Sequence, residues 1–255
     1  MTGDNEVRGG WTPANASARL GVVAAALASS VAWAFLVLPF FPTRNGTLGH
    51  DMSYFVPWLV EGFGGLTAHG LLSPPPFTPA FCGGLPFYGN PQSIPYSLTG
   101  LLWLVLEPLA ALRASLVITH VVAFAGTFLA ARRAVGLDRA SSVLAAVLVS
   151  WTSTIIDRAL AGHWGFLAYA AVPWVLAGVG GAARAGARPG AILGGLATGG
   201  LAFAYQVEAG FAVAGVPVVL LATGFVATIT LTLLVGFLST YRILGQPPLS
   251  VLRHE

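Results

Sequence analysis

The sequence predicts an all-α, polytopic integral membrane protein with about six transmembrane helices and a long external loop after the first. Three observations predict it. Of the 255 residues, 56% are hydrophobic and only 8% are charged, against about 25% charged in soluble domains. Apolar runs long enough to span a bilayer recur along the chain; a span needs about 20 residues, because each helical residue rises ~1.5 Å through a hydrocarbon core of ~30 Å. Arginines gather in short segments between these runs, the mark of cytoplasmic loops.

The elements follow in order. Residues 1–19 are polar and mixed in charge and read as a cytoplasmic tail. The apolar run at 20–41 is too long for the h-region of a cleaved signal, which takes about 7 to 15 residues, so it is expected to stay as the first crossing, closed by Pro42. Residues 43–97 change character, with Arg44, His50, Asp51, Glu61, His69 and many prolines and glycines, and form the external loop. Within it, residues 52–72 suit an interfacial helix, since Tyr54, Phe55 and Trp58 belong at headgroup level. Residues 98–106 are apolar but are stopped by Glu107-Pro108, which predicts a short or partly inserted helix leading into a crossing at 114–131.

Further crossings are expected at 140–156, 166–182, 191–207 and about 215–240. This assignment puts Arg132, Arg133 and Arg139, then Arg184 and Arg188, then Arg242 and Arg253 all on the cytoplasmic side with both termini. Counting 98–112 as a further crossing would turn the Arg132-Arg133 loop outward. The expected location is a prokaryotic plasma membrane. Gly195 and Gly199 form a small-xxx-small pair that would let two helices approach closely.

All twelve basic residues are arginine and the net charge is only +3. Without a basic surface, nucleic acid is not an expected partner; membrane lipid is. The single cysteine, Cys82, has no disulfide partner in the chain and no metal-ligand companion at useful spacing.

The topology gathers the chemically active residues on one side. His50 and Asp51 leave the first crossing, Asp157, Arg158 and His163 end the third, and Glu208 ends the fifth. His50-Asp51 reads either as a solvated loop start or as a general base and a cation-coordinating carboxylate, which makes Asp51 the candidate ligand for a divalent cation. Asp157 and Arg158 read as a self-neutralising pair at a helix end, or else Arg158 and His163 bind a phosphate. Glu107 reads as a helix-end group, and His120, inside a crossing, as a histidine packed against a backbone carbonyl or lining a polar path. Glu208 is either an anchoring group or part of a binding site. The phosphate loop GxxxxGK[ST], a Rossmann glycine pattern, HExxH and GxSxG are all missing from the sequence.

Two segments resemble known families. GHDMSYF, GGLPFYGNPQSIPYSLTGLLW, GTFLAARRAVGLDRASS and AGHWGFLAYAAVPWV, within about residues 45–175, resemble the amino-terminal half of C-superfamily membrane glycosyltransferases, which use polyprenyl-phosphate sugars. The resemblance implies an acidic residue of the first external loop acting as base or metal ligand. Here that is Asp51, with His50 beside it and His163 across the cleft. Members of that family have more crossings than the six or so expected here, and often a soluble external domain.

The end of the chain, TITLTLLVGFLSTYRILGQPPLSVLRHE, resembles the last helix and tail of FtsX-like ABC transporter permeases, through Arg242, Pro248, Leu252, Arg253 and Glu255. That resemblance implies a cytoplasmic ATPase subunit as partner. Residues 20–214 are therefore expected to form a glycosyltransferase-like transmembrane region, and 215–255 a final helix with a permease-like tail. The two meet near residues 221–224, where a fusion, truncation or recombination would have joined them. The function expected is that of a glycosyltransferase-like protein handling a lipid-linked sugar at the outer membrane face, in active form or as a truncated or fused inactive one. The alternative is an ABC-type permease subunit.

Overall fold

The structure, a computed structural model, describes residues 13–44, 47–71, 76–87, 95–183 and 188–208. All of them lie in the first of two units, Met1–Ala212 and Val213–Glu255. The expected sixth crossing, the permease-like tail and the join near 221–224 lie outside the described residues.

The described chain is helical apart from two short antiparallel ladders. Helix α1 (Pro13–Val37) ends in a 3-10 turn, Leu38–Phe40. Thr43–Arg44 pairs with Thr47–Leu48, and the chain enters α2 (Met52–His69). A second ladder, Phe77–Thr78 with Leu85–Pro86, encloses the short α3 (Ala80–Gly83). Then follow α4 (Leu98–Trp103), α5 (Pro108–Ala130), α6 (Arg139–Ser150), α7 (Ser153–Ala161), a 3-10 segment Trp164–Ala171, α8 (Val172–Ala182) and α9 (Pro189–Glu208).

Four helical stretches among the described residues are long and apolar enough to cross a membrane: Ala16–Phe40, Pro108–Val135, Arg139–Ala161 and Trp164–Ala182. The protein is thus a multi-pass helical membrane protein, with four such spans among the described residues; the sixth of the crossings expected lies outside them. The fifth expected crossing, 191–207, is the helix α9, which is not among the four and runs to the edge of the described residues.

Two boundaries move. The second crossing begins at Pro108 and not near 114, because the Glu107 side chain accepts the Leu109 N–H at 3.4 Å and Pro108 occupies the first turn, where no backbone donor is missed. The short α4, capped by Ser97 through the Gly100 N–H, stops before it. The third crossing runs past 156 to Ala161, interrupted at Trp151 and Thr152 between α6 and α7.

Packing within the bundle relies on small residues and satisfied polar groups, since lipid supplies no hydrophobic drive for helices to associate. A Cβ at Gly178 of α8 would lie 2.6 Å from the Gly199 amide nitrogen of α9, and Gly195 faces the same helix, so the predicted small pair is the α8–α9 contact. Trp174 of α8 packs over Gly126 of α5 and donates its indole N–H to the Val122 carbonyl at 2.9 Å.

His120 of α5 is buried and bonded on both nitrogens. Its Nδ1 lies 3.2 Å from the Ser150 carbonyl and its Nε2 lies 3.2 Å from Ser29 Oγ, which also accepts the Trp151 indole N–H at 2.9 Å. A carbonyl only accepts, so Nδ1 carries the proton, and a neutral ring then satisfies every group in the chain from α1 to α6. His120 is the packed histidine of the two sequence readings.

Candidate functional site

The loop after α1 and the end of α7 meet because two glycines allow it. A Cβ at Gly49 would overlap the backbone carbonyl of Leu160, and a Cβ at Gly162 would overlap the backbone of Met52. Gly162 also closes α7 in a left-handed conformation, φ 104°, which favours glycine. The Asp51 N–H donates to the Ala161 carbonyl at 3.1 Å, which locks the two segments side by side. Beneath them lies a core of Trp33, Phe41, Met52, Leu59, Leu116 and Trp164, with the Phe41 and Trp164 rings packed edge to face.

On this base three of the sequence candidates converge with a fourth. Asp51 Oδ2 pairs with His163 Nε2, and Asp51 Oδ1 lies 3.3 Å from His50 Nε2. His163 Nδ1 lies 3.4 Å from an Arg158 guanidinium nitrogen. Arginine can only donate, so Nδ1 accepts, and the His163 proton sits on Nε2, from which it is donated to Asp51. The imidazole therefore bridges a carboxylate and a guanidinium as a neutral ring. Phe55 meets its edge, Phe166 stacks on it at 5.5 Å, and Arg158 lies 5.0 Å above the same Phe166 ring.

Asp51 occupies the N-cap of α2 yet makes no capping bond with its side chain. An aspartate there ordinarily holds a helix amide; this one is turned to the imidazoles instead. The exposures are graded: the His163 side chain is 19% accessible, that of Asp51 31% and that of His50 85%. One carboxylate oxygen is thus held from within the protein, while the other faces a histidine that water can replace.

The remaining candidates fall elsewhere. Asp157 and Arg158 do not form the expected pair: adjacent residues on a helix point about 100° apart, and Arg158 is turned to His163 and Phe166 while Asp157 makes no ion pair among the described residues. Glu208 ends α9, and its side chain lies outside the described residues. Glu107 is a cap. For the expected divalent cation, no group of three His, Cys, Asp or Glu side chains suited to a metal occurs among the described residues, and both Asp51 oxygens already face imidazole nitrogens.

The sequence reading missed Gly49, Gly162, Phe55 and Phe166, which position the site. A signal was present: both site segments carry the dipeptide Gly-His, at 49–50 and 162–163. No family model, no curated protein and no solved structure matches the chain.

Proposed function

We propose that this membrane protein is a transferase acting on a lipid-linked sugar at the outer membrane face, with Asp51 as its acidic group. One observation supports it above the rest: a carboxylate in the loop after the first span is held by an imidazole and backed by a guanidinium from the end of the third. An arrangement that costs α2 its cap suggests a use for the carboxylate other than helix stability.

The reaction proposed uses these groups as follows. An acceptor hydroxyl gives its proton to Asp51 through Oδ1, the oxygen next to exposed His50. The acceptor oxygen bonds to the anomeric carbon of the sugar, the bond from that carbon to the phosphate oxygen breaks, and polyprenyl phosphate leaves with the electron pair. Arg158 keeps guanidinium N–H groups for the departing phosphate. His163 is a positioning residue that fixes the carboxylate. In this reading the loop end of the bundle faces outward and the arginine clusters face the cytoplasm.

The test is transfer from a polyprenyl-phosphate sugar by purified wild type and Asp51→Ala. Loss of transfer with unchanged expression supports the reading; retained transfer ends it. The alternative, a permease-type subunit with an ATPase partner, rests on residues 224–255, and no observation among the described residues favours it.

A further inference from the structure

Asp157 carries an observation separate from the proposed reaction. It lines a pocket of about 240 Å³ between the outer end of α1 and α7, whose other walls are Leu36, Val37, Phe40, Ile156 and Leu160. Five of these six residues are apolar, and Leu36 and Phe40 are 53% and 50% exposed on the lipid-facing side of α1. The volume falls below the ~300–1,000 Å³ typical of pockets for drug-sized ligands, so a narrow occupant fits, such as a hydrocarbon chain with a small polar head.

The carboxylate decides the head. Arg158, the neighbour that would neutralise Asp157, is turned to His163 and Phe166, and no other cation pairs with Asp157 among the described residues. Asp157 is exposed at the mouth of this apolar pocket, so its carboxylate is open to a positive donor from outside the protein. An anionic lipid, including a polyprenyl phosphate, would be repelled.

We infer that this pocket binds an ethanolamine-headed phospholipid of the surrounding bilayer, one acyl chain lying among Leu36, Phe40 and Ile156 and the primary ammonium donating to Asp157. The bound lipid completes the outer end of α1 against α7, beside the segment that leads into His163. The site is distinct from the Asp51 cluster and does not depend on its chemistry.

The experiment purifies the full chain from vesicles of phosphatidylethanolamine with phosphatidylglycerol, of phosphatidylcholine with phosphatidylglycerol, and of phosphatidylglycerol alone, and counts retained lipid by native mass spectrometry. Wild type is expected to retain one ethanolamine lipid and roughly tenfold less choline lipid, the ratio matching a charge-assisted hydrogen bond of about 1.4 kcal/mol. Asp157→Asn, which keeps the shape, is expected to lose this preference while remaining monodisperse. Leu36→Trp, which fills the pocket from an exposed position, is expected to lose the retained lipid altogether. Equal retention of choline and ethanolamine lipids, no retained lipid in wild type, or an unchanged preference in Asp157→Asn would each overturn the inference.

Discussion

His163 donates its Nε2 proton to Asp51, and the contact exists because Gly49 and Gly162 let the two chain segments touch. Neither glycine belongs to the hydrogen-bonded cluster, yet each lies next to one of its histidines. The site is thus made by backbone proximity first and by side-chain chemistry second.

Gly162→Ala should therefore separate the pair. Alanine at φ 104° is strained and its Cβ meets Met52, which predicts a loss of about 1–3 kcal/mol. Thermal unfolding in detergent checks the stability, and transfer activity is expected to fall with it. Gly136, also at positive φ but with open space around its Cβ, should lose stability without touching transfer.

The small-residue contact between α8 and α9 makes a sharper contrast within one helix pair. Gly178→Val should cost about 1–3 kcal/mol by overpacking, because its Cβ is already too close to the α9 backbone. Gly194→Ala and Gly200→Ala meet nothing within 4 Å and should be neutral, or stabilise α9 by up to about 1 kcal/mol through helix propensity. Unfolding midpoints of the three variants decide it.

Ser29→Ala removes the hydroxyl between Trp151 and His120 and leaves an indole N–H and a ring nitrogen unpaired. A loss of about 0.6–1.7 kcal/mol is expected, the range for hydrogen bonds between helices in membranes. Transfer activity should be kept, since this network lies within the spans and does not include the Asp51 cluster.

Asp138 caps α6, accepting both the Ser141 N–H and hydroxyl at 2.9 Å, and these bonds hold its carboxyl below the usual carboxylate range. Its folded pKa is depressed, so its contribution is present above the unfolded value of 3.8 and is lost as pH falls through the lower folded one. Asp138→Ala should lower the unfolding midpoint at neutral pH. Asp138→Asn, which also caps, should largely preserve it and remove this acid dependence.

Several of these relationships were legible in the sequence, and the reasons are physical. The first span, the amphipathic α2 and the Glu107-Pro108 start signal are local patterns. So is the Gly195/Gly199 spacing, which lies on one face of a helix. The meeting of Asp51 and His163 followed from topology: the positive-inside rule put both at one end of the bundle. The Asp157-Arg158 pairing failed because the choice of partner for Arg158 depends on the left-handed turn at Gly162, which folds His163 and Phe166 back toward it. The break between α6 and α7 was likewise hidden, because Trp151 and Thr152 include no glycine or proline to mark it. Of the six crossings expected, four appear as apolar spans among the described residues; the fifth forms as the helix α9, and the sixth lies outside the described residues.

The measurement that tests the central claim most directly is a double-mutant cycle on sugar transfer with Asp51→Asn, His163→Gln and the pair. If His163 acts only through Asp51, Asp51→Asn should lower the rate by roughly 10²–10⁴, the range for a general base, and adding His163→Gln should lower it no further. A rate within about twofold of wild type for Asp51→Asn, or losses that multiply in the double variant as they do for independent sites, would contradict the account.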